Sequence, residues 1–263
     1  MEAALWVAKT GLDAQQTRMT VIANNLANVN TTGFKRDRAT FEDLLYQSVR
    51  QGGAQTSADT TAPTGLLLGT GTRVVSTEKL HAQGNLINSQ NPLDVAILGD
   101  GYFQIQQQDG TTAYTRDGSF KLSSTGQLVT SDGFSLQPVI TIPNNATSVS
   151  ISNLGVVSAL VPGNTQPQQI GQITLTRFIN KTGLESMGDN LFLETAGSGA
   201  AIDGTPGSEG FGTIQQGYVE ESNVNAVTEI SSLIAAQRAY ELNARVISAS
   251  DQMLTAAAQI FRG

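Results

Sequence analysis

Leu5, Leu12, Met19 and Leu26 recur every seven residues near the start of the chain. Ala8, Ile22 and Val29 fall in a companion row, which Gln15 interrupts with a polar side chain. Apolar positions of that period share one helix face, so the pattern predicts a helix over about residues 3–32. Gly33 stands where a left-handed residue would end it, after the β-branched pair Thr31-Thr32. Gly11 inside the helix costs about 1 kcal/mol relative to alanine.

The same period returns at the other end. Leu233, Tyr240, Ile247, Leu254 and Phe261 repeat every seven residues, with Gln237, Ala244, Asp251 and Ala258 in a neighbouring row. This predicts a second helix over about residues 225–261, with Asn225 as its N-cap and Glu229 favoured by the dipole in its first turn. Each helix carries a narrow apolar stripe among Ala, Ser, Thr, Asn and Gln, and such a helix is marginal alone in water. Two readings fit: an internal helical hairpin, or a helix layer completed by neighbouring copies. Small residues such as Ala235, Ala236, Ala249, Ala256 and Ala257, expected to face outward, favour the second by permitting close approach.

Between the helices the pattern shortens to alternation. The Asp-Gly pairs at 100–101, 109–110, 117–118 and 132–133 are strong hairpin signals. Short strands are expected at 102–105, 119–122, 134–136, 139–142, 149–151, 156–158 and 173–176. Residues 197–212 are Gly-rich and read as a loop. Residues 41–71 are harder. Phe41 to Val49 suggests a short helix, and Gln51 to Leu66 is poor in apolar residues. A structureless stretch of that length is uncommon in one domain, so it is either disordered or an extended excursion ordered by contact with something else.

Composition narrows the chemistry. The chain has 263 residues, 14% of them charged, with formal net charge −7. An acidic chain without a basic cluster is a poor match for nucleic acid or an anionic membrane. Lys35-Arg36-Asp37-Arg38, the longest basic cluster, reads as a solvated loop leaving the first helix. The start, with an acid at Glu2 and a short apolar run, does not read as a secretory signal, and no stretch approaches a membrane span. There is no cysteine and one histidine, His81, which excludes thiol chemistry and makes a zinc site implausible. His81 is expected at the surface or in a satisfied structural role. Of aspartates 94, 100, 109, 117 and 132, all but the first precede glycine, where turn geometry explains them. No catalytic residue, cofactor site or metal site is expected.

The string from Ile22 to Lys35, which contains Asn24-Asn25-Leu26-Ala27-Asn28 and Gly33-Phe34, resembles the N-terminal signature of a known family, that of the bacterial flagellar rod and hook proteins. Further matches are Gln83 to Leu86, Asp94 to Ile97, Gly99 to Phe103, Tyr114 to Phe120, Gly126 to Val129, Gly217 to Asn225, Gln237 to Glu241 and Asp251 to Leu254. Within the family the distal-rod branch is the most similar, on the opening Leu5 to Ala14, on Phe41 to Gln47 with its long connector, and on the lack of a hook protein's extra outer domain.

The resemblance implies an α+β fold. N- and C-terminal helices pair as a coiled coil (1–40 with 220–263), with an extended connector or hairpin at 41–71 and a mainly antiparallel β-rich outer domain at 72–219. It implies a non-enzymatic rod subunit that polymerises with itself into a rigid tube and transmits torque. The implied partners are proximal rod proteins, the hook protein, the P- and L-ring proteins and the flagellar type III export apparatus. The implied location is the periplasm-spanning rod of the basal body. Leu5, Leu12, Met19, Leu26, Leu233, Tyr240, Ile247, Leu254 and Phe261 are the expected assembly interface. The alternatives are another axial protein, proximal rod or hook, or a periplasmic cell-wall-active enzyme, which would need a paired acid in a cleft.

Overall fold

A computed structural model describes residues 2–51, 53, 55–57, 60–61, 64–163 and 166–260. The chain divides into two compact units. A helical unit comprises Met1–Ala27, Asp37–Glu78 and Asn225–Gly263, and a β unit comprises Asn28–Arg36 and Lys79–Val224.

Helix α1 spans Glu2–Ala27 and helix α2 spans Ala226–Ile260. The second expectation matches closely: Asn225 Oδ1 accepts the Thr228 amide at 3.1 Å and so caps α2. The first helix ends before the expected residue 32. Asn28 starts a turn in which its carbonyl accepts the Thr31 amide at 3.2 Å and its side chain accepts the Thr31 hydroxyl at 3.1 Å. Local side-chain bonding of that kind competes with helix.

The two helices pack together and run antiparallel. Gly11 meets Asn243, and fourteen residues further along α1 Asn25 meets Glu229, fourteen residues back along α2. The glycine has a reason here: a Cβ at residue 11 would lie 2.9 Å from Asn243 Nδ2. The propensity lost at Gly11 is the condition for close helix approach.

The expected helix over 41–49 is absent. Strand Asp37–Asp43 pairs with Thr72–Lys79, and Gln47–Arg50 pairs antiparallel with Leu66–Leu68. The Leu44 amide donates to Gly71 O at 2.9 Å, and the Thr70 hydroxyl donates to Leu45 O at 2.6 Å. Arg73 pairs with Glu42 at 3.2 Å, and Arg38 pairs with Glu78. Pairing with a segment some thirty residues away supplies backbone partners that outweigh the local helix preference of Phe41 to Leu45.

The β unit is built on a seven-stranded antiparallel sheet. Its spatial order is Lys121–Leu122, Leu128–Val129, Ser135–Gln137, Phe103–Gln106, Thr112–Thr115, Leu191–Leu193 and Glu185–Gly188. A three-stranded sheet, Ser148–Ile151, Val156–Leu160 and Gln168–Gln172, contributes to the same core. Ile97, Phe103, Phe120, Leu136, Val157 and Leu175 are buried there, with Phe103 edge-on to Phe120 at 5.1 Å. Each such side chain contributes about 1.5–3 kcal/mol on burial.

Two of the Asp-Gly pairs make the expected hairpins. Residues 109–110 join Phe103–Gln106 to Thr112–Thr115, and residues 132–133 join Leu128–Val129 to Ser135–Gln137. Those at 100–101 and 117–118 are corners: strand Val95–Leu98, which precedes Asp100-Gly101, pairs with Thr213–Gln216 instead. Residues 139–142 join the sheet only through a single bridge, Gln127 to Thr141. Pro138 precedes them and has no amide proton to donate to a ladder.

Candidate assembly surface and polar junction

The expected assembly residues fall into three groups. Leu5, Leu12, Met19, Leu26, Leu233 and Ile247 are half-buried. Tyr240 and Leu254 are exposed, at 37% and 38%. Phe261 lies outside the described residues.

The innermost row of α2 differs from the one expected. Gln237 and Asp251 are exposed and Ala244 is half-buried, while Glu229, Ala236 and Ser250 are buried and Asn243 is half-buried. Ala258 has no described side chain. The row facing α1 therefore lies three residues beyond the Leu233 row in each heptad, rather than four. Its side chains are small or polar, which suits an approach as close as that at Gly11. Ala236, expected outward, is 1% exposed, whereas Ala235, Ala249 and Ala256 do face outward. Ala257 lies among the side chains not described.

The outer faces of the helical unit expose many apolar side chains among polar ones. Val227, Ile230, Ile234, Leu242, Val246 and Met253 of α2 are exposed, as are Trp6 and Val7 of α1. All side chains described from 251 onward are exposed. At 1.5 Å per residue α2 is about 13 Å longer than α1, so its end overhangs. A cavity of about 450 Å³ opens among Ala3, Ala4, Val7, Leu68, Asn243 and Val246. Leu45, Tyr46, Val49, Leu66, Leu67 and Leu68 are exposed along the paired strands of the connector. So many large apolar side chains open to solvent on the same elements mark a surface for association.

The family-motif residues divide between the units. In the helical unit Asn25 is buried, while Asn24 and Ala27 are exposed and Leu26 is half-buried. Asn25 Nδ2 donates to Asp37 O at 2.9 Å, and Asn25 Oδ1 accepts the Asp37 amide at 2.8 Å. Its carboxamide thus behaves as one more strand residue.

In the β unit Asn28 is half-buried and Gly33 and Phe34 are buried. Gly33 holds a left-handed backbone at φ 70°, as expected of it, and the bulk of any side chain would meet the Asp117 amide nitrogen.

Lys35 corrects the sequence reading. It is not on a solvated loop: its side chain and that of Glu220 are both 0% exposed, and Lys35 Nζ donates to Glu220 Oε1 at 2.5 Å. Arg116 Nη1 lies 3.4 Å from Glu220 Oε2, and Arg116 Nη2 donates to Gly99 O at 2.7 Å. Burial pushes the Lys35 pKa below its ordinary value, against the pull of the Glu220 carboxylate. Glu220 and Arg116 were not singled out from the sequence. The available signal was weak: both stand in the family strings of a chain with few charges.

His81 takes the structural role. It is half-buried, with Nδ1 2.8 Å from the Tyr102 hydroxyl and its ring edge-on to Phe192 at 5.3 Å. Burial, reinforced by the Lys35 charge, lowers its pKa to about 3, so it is neutral at physiological pH. Two of the Asp-Gly aspartates do turn work. Asp109 Oδ1 accepts the Thr111 amide at 2.9 Å, and Asp117 Oδ1 accepts the Ser119 amide at 3.0 Å.

Comparison with known proteins bears directly on this arrangement. Residues 5–35 match a family model described as flagella basal body rod protein, and residues 96–159 match the flagellar hook protein FlgE/F/G D1 domain. Residues 215–260 match the C-terminal model of flagellar basal body rod FlgEFG proteins. The flagellar basal-body rod protein FlgG of Buchnera aphidicola subsp. Acyrthosiphon pisum is 55% identical over 257 residues, covering 98% of this chain and 99% of that protein. The chain belongs to the flagellar basal-body rod protein family. The FlgG of Caulobacter vibrioides is 52% identical, covering 98% of both chains, and that of Bacillus subtilis is 39% identical, covering 95% and 96%. In family terms the N-terminal model covers α1 and the Gly33–Lys35 corner, and the C-terminal model covers Glu220 and α2. The recurring segments thus coincide with the helices and the buried ion pair. Among the described residues, no helix is long and apolar enough to cross a membrane.

Proposed function

We propose that the chain is a structural, non-enzymatic subunit of the flagellar distal rod, polymerising into a rigid tube that carries torque from motor to hook. The observation that carries this reading is the open apolar face of α2, from Val227 to Met253, in a chain matched along its whole length by FlgG rod proteins. Burying that face requires other molecules. Heterologous contacts whose rotation does not close build a filament.

In this reading α1 and α2 pair as a coiled coil and, with the flanking segments 1–40 and 220–263, form the inner layer of the tube. The connector at 41–71 bridges neighbouring subunits through its exposed leucines. The β-rich part, 72–219, lies outward. The neighbours along the axle are proximal rod proteins and the hook protein, the rings around it are the P and L rings, and delivery to the periplasm is by the type III export apparatus. Leu5, Leu12, Met19, Leu26, Leu233, Tyr240, Ile247, Leu254 and Phe261 are the proposed contact residues.

Electron microscopy of the purified, concentrated chain tests the reading. Straight helical tubes are expected. A protein that stays monomeric at all concentrations, with the α2 face protected from solvent, would refute it.

A further inference from the structure

The chain crosses between its two units four times, at 27–28, 36–37, 78–79 and 224–225. Three β-unit segments carry those crossings: 28–36, the segment starting at Lys79, and the one ending at Val224. Around residues 33–36, 79–84 and 220–223 these segments are bound to one another by polar groups.

The Gly33 amide donates to Glu220 O at 2.8 Å, and the Leu80 amide donates to Arg36 O at 2.8 Å. Asn223 reaches both other segments: Oδ1 accepts the Arg36 amide at 2.8 Å, and Nδ2 donates to Leu80 O at 2.7 Å and Ala82 O at 3.0 Å. Lys35 Nζ donates to Ala82 O at 2.9 Å as well as to Glu220. Glu220 Oε1 also accepts the Gly84 amide at 2.9 Å. Arg116, the residue after strand Thr112–Thr115, pairs with the same carboxylate and so links it to the body of the β unit.

We propose that Asn223 and the Lys35–Glu220–Arg116 cluster form one polar junction that makes the three segments move as a single body and so carries force between the two units. The mechanical half of this rests on the rod reading above.

Two arguments favour transmission over plain stability. The β unit has its own large apolar core, distinct from these residues. A buried ion pair is also a weak source of net stability compared with apolar packing, yet pulling its members apart exposes each to an uncompensated low-dielectric site. Such a contact resists displacement more than it favours folding. A load on either helix enters the β unit through these segments, because no other covalent path exists.

The test uses the full chain with Asn223→Ala, Lys35→Met and Glu220→Gln. In dilute solution Asn223→Ala is expected to leave the melting temperature of the β unit within a few degrees of wild type, whereas Lys35→Met and Glu220→Gln each strand a buried charge and should lower it. Hydrogen exchange at the Arg36, Leu80 and Gly84 amides should rise by about tenfold or more. Tubes should assemble but bend more readily under the electron microscope. A loss of general stability in Asn223→Ala would lower the melting temperature and the stiffness together. If Lys35→Met does not fold, Asn223→Ala decides, since it removes three bonds and strands no buried charge. Unchanged protection at those amides, or variant tubes as straight and stiff as wild type, overturns the proposal. Failure of the wild-type chain to form tubes refutes the rod reading and the mechanical half with it, while exchange in the monomer still tests the coupling of the three segments.

Discussion

Asn25 and Asp37 exchange two hydrogen bonds, the Asn25 side chain donating to the Asp37 carbonyl at 2.9 Å and accepting from the Asp37 amide at 2.8 Å. The amide side chain near the end of α1 thereby occupies the place of a strand neighbour for the first residue of the following strand. Asn25 Nδ2 is also 3.4 Å from Glu229 Oε2 in the first turn of α2. One residue fixes where the outgoing chain begins and where the second helix starts.

Replacing Asn25 with Ala removes both partners of Asp37 at a position that is 1% exposed. Leaving two backbone groups unmet costs about 2–4 kcal/mol. The expected outcome is a lower dissociation temperature for assembled tubes. The melting transition of the β unit should not move, because none of these residues belongs to it. Parallel thermal scans of tubes and monomer measure both.

Ile247→Asp should abolish assembly while the β unit remains folded. Ile247 is half-buried in the Leu233 row, and a charge there has no partner once neighbours close over it. Sedimentation reads assembly and circular dichroism reads the fold. Tubes of normal yield from this variant would remove the heptad row from the interface.

In dilute monomer, residues 3–30 and the end of α2 should exchange amide protons quickly, and tube formation should slow them. The side chains described from 251 onward are all exposed in a single chain. Full protection of residues 3–30 in the monomer would contradict this.

Deleting residues 46–66 should soften the tube without preventing its formation. The paired strands Gln47–Arg50 and Leu66–Leu68 present apolar side chains to solvent, and Leu45 beside them is 90% exposed. Loss of that area removes contacts between neighbours but leaves the helix rows. Persistence length measured from images decides; a deletion tube as stiff as wild type argues against a bridging connector.

His81 makes the β unit sensitive to acid. Its pKa falls from 6.5 to about 3 on folding, so between those values the unfolded chain binds the extra proton. Stability should therefore rise with pH from about 3 to about 6.5 and gain nothing further from this residue above that. His81→Gln does not titrate and can still accept a hydrogen bond from the Tyr102 hydroxyl. It should flatten the dependence between pH 5 and 6.5, where carboxylates contribute little. Urea unfolding at a series of pH values measures the slope.

Both terminal helices were legible in the sequence because a seven-residue apolar period has no other regular interpretation. The hairpins at 109–110 and 132–133 were legible because Asp-Gly dictates a turn locally. The motif residues Asn24 to Phe34 could be recognised as a string, but not what each one does.

Local pattern by itself thus determined the two helices, the β-rich centre and the scarcity of catalytic groups. Tertiary structure alone decided which helix row faces inward. Rows three and four residues from the Leu233 row are equivalent until a partner is placed, and Gly11 against Asn243 chose the row with small side chains. It also turned residues 41–49 from helix to strand, because their partners lie across the connector. Lastly it drew Lys35 out of water and against Glu220. A lysine is read as exposed unless a counter-charge 185 residues away in the chain is brought within hydrogen-bonding distance, and no local pattern encodes a separation of that length.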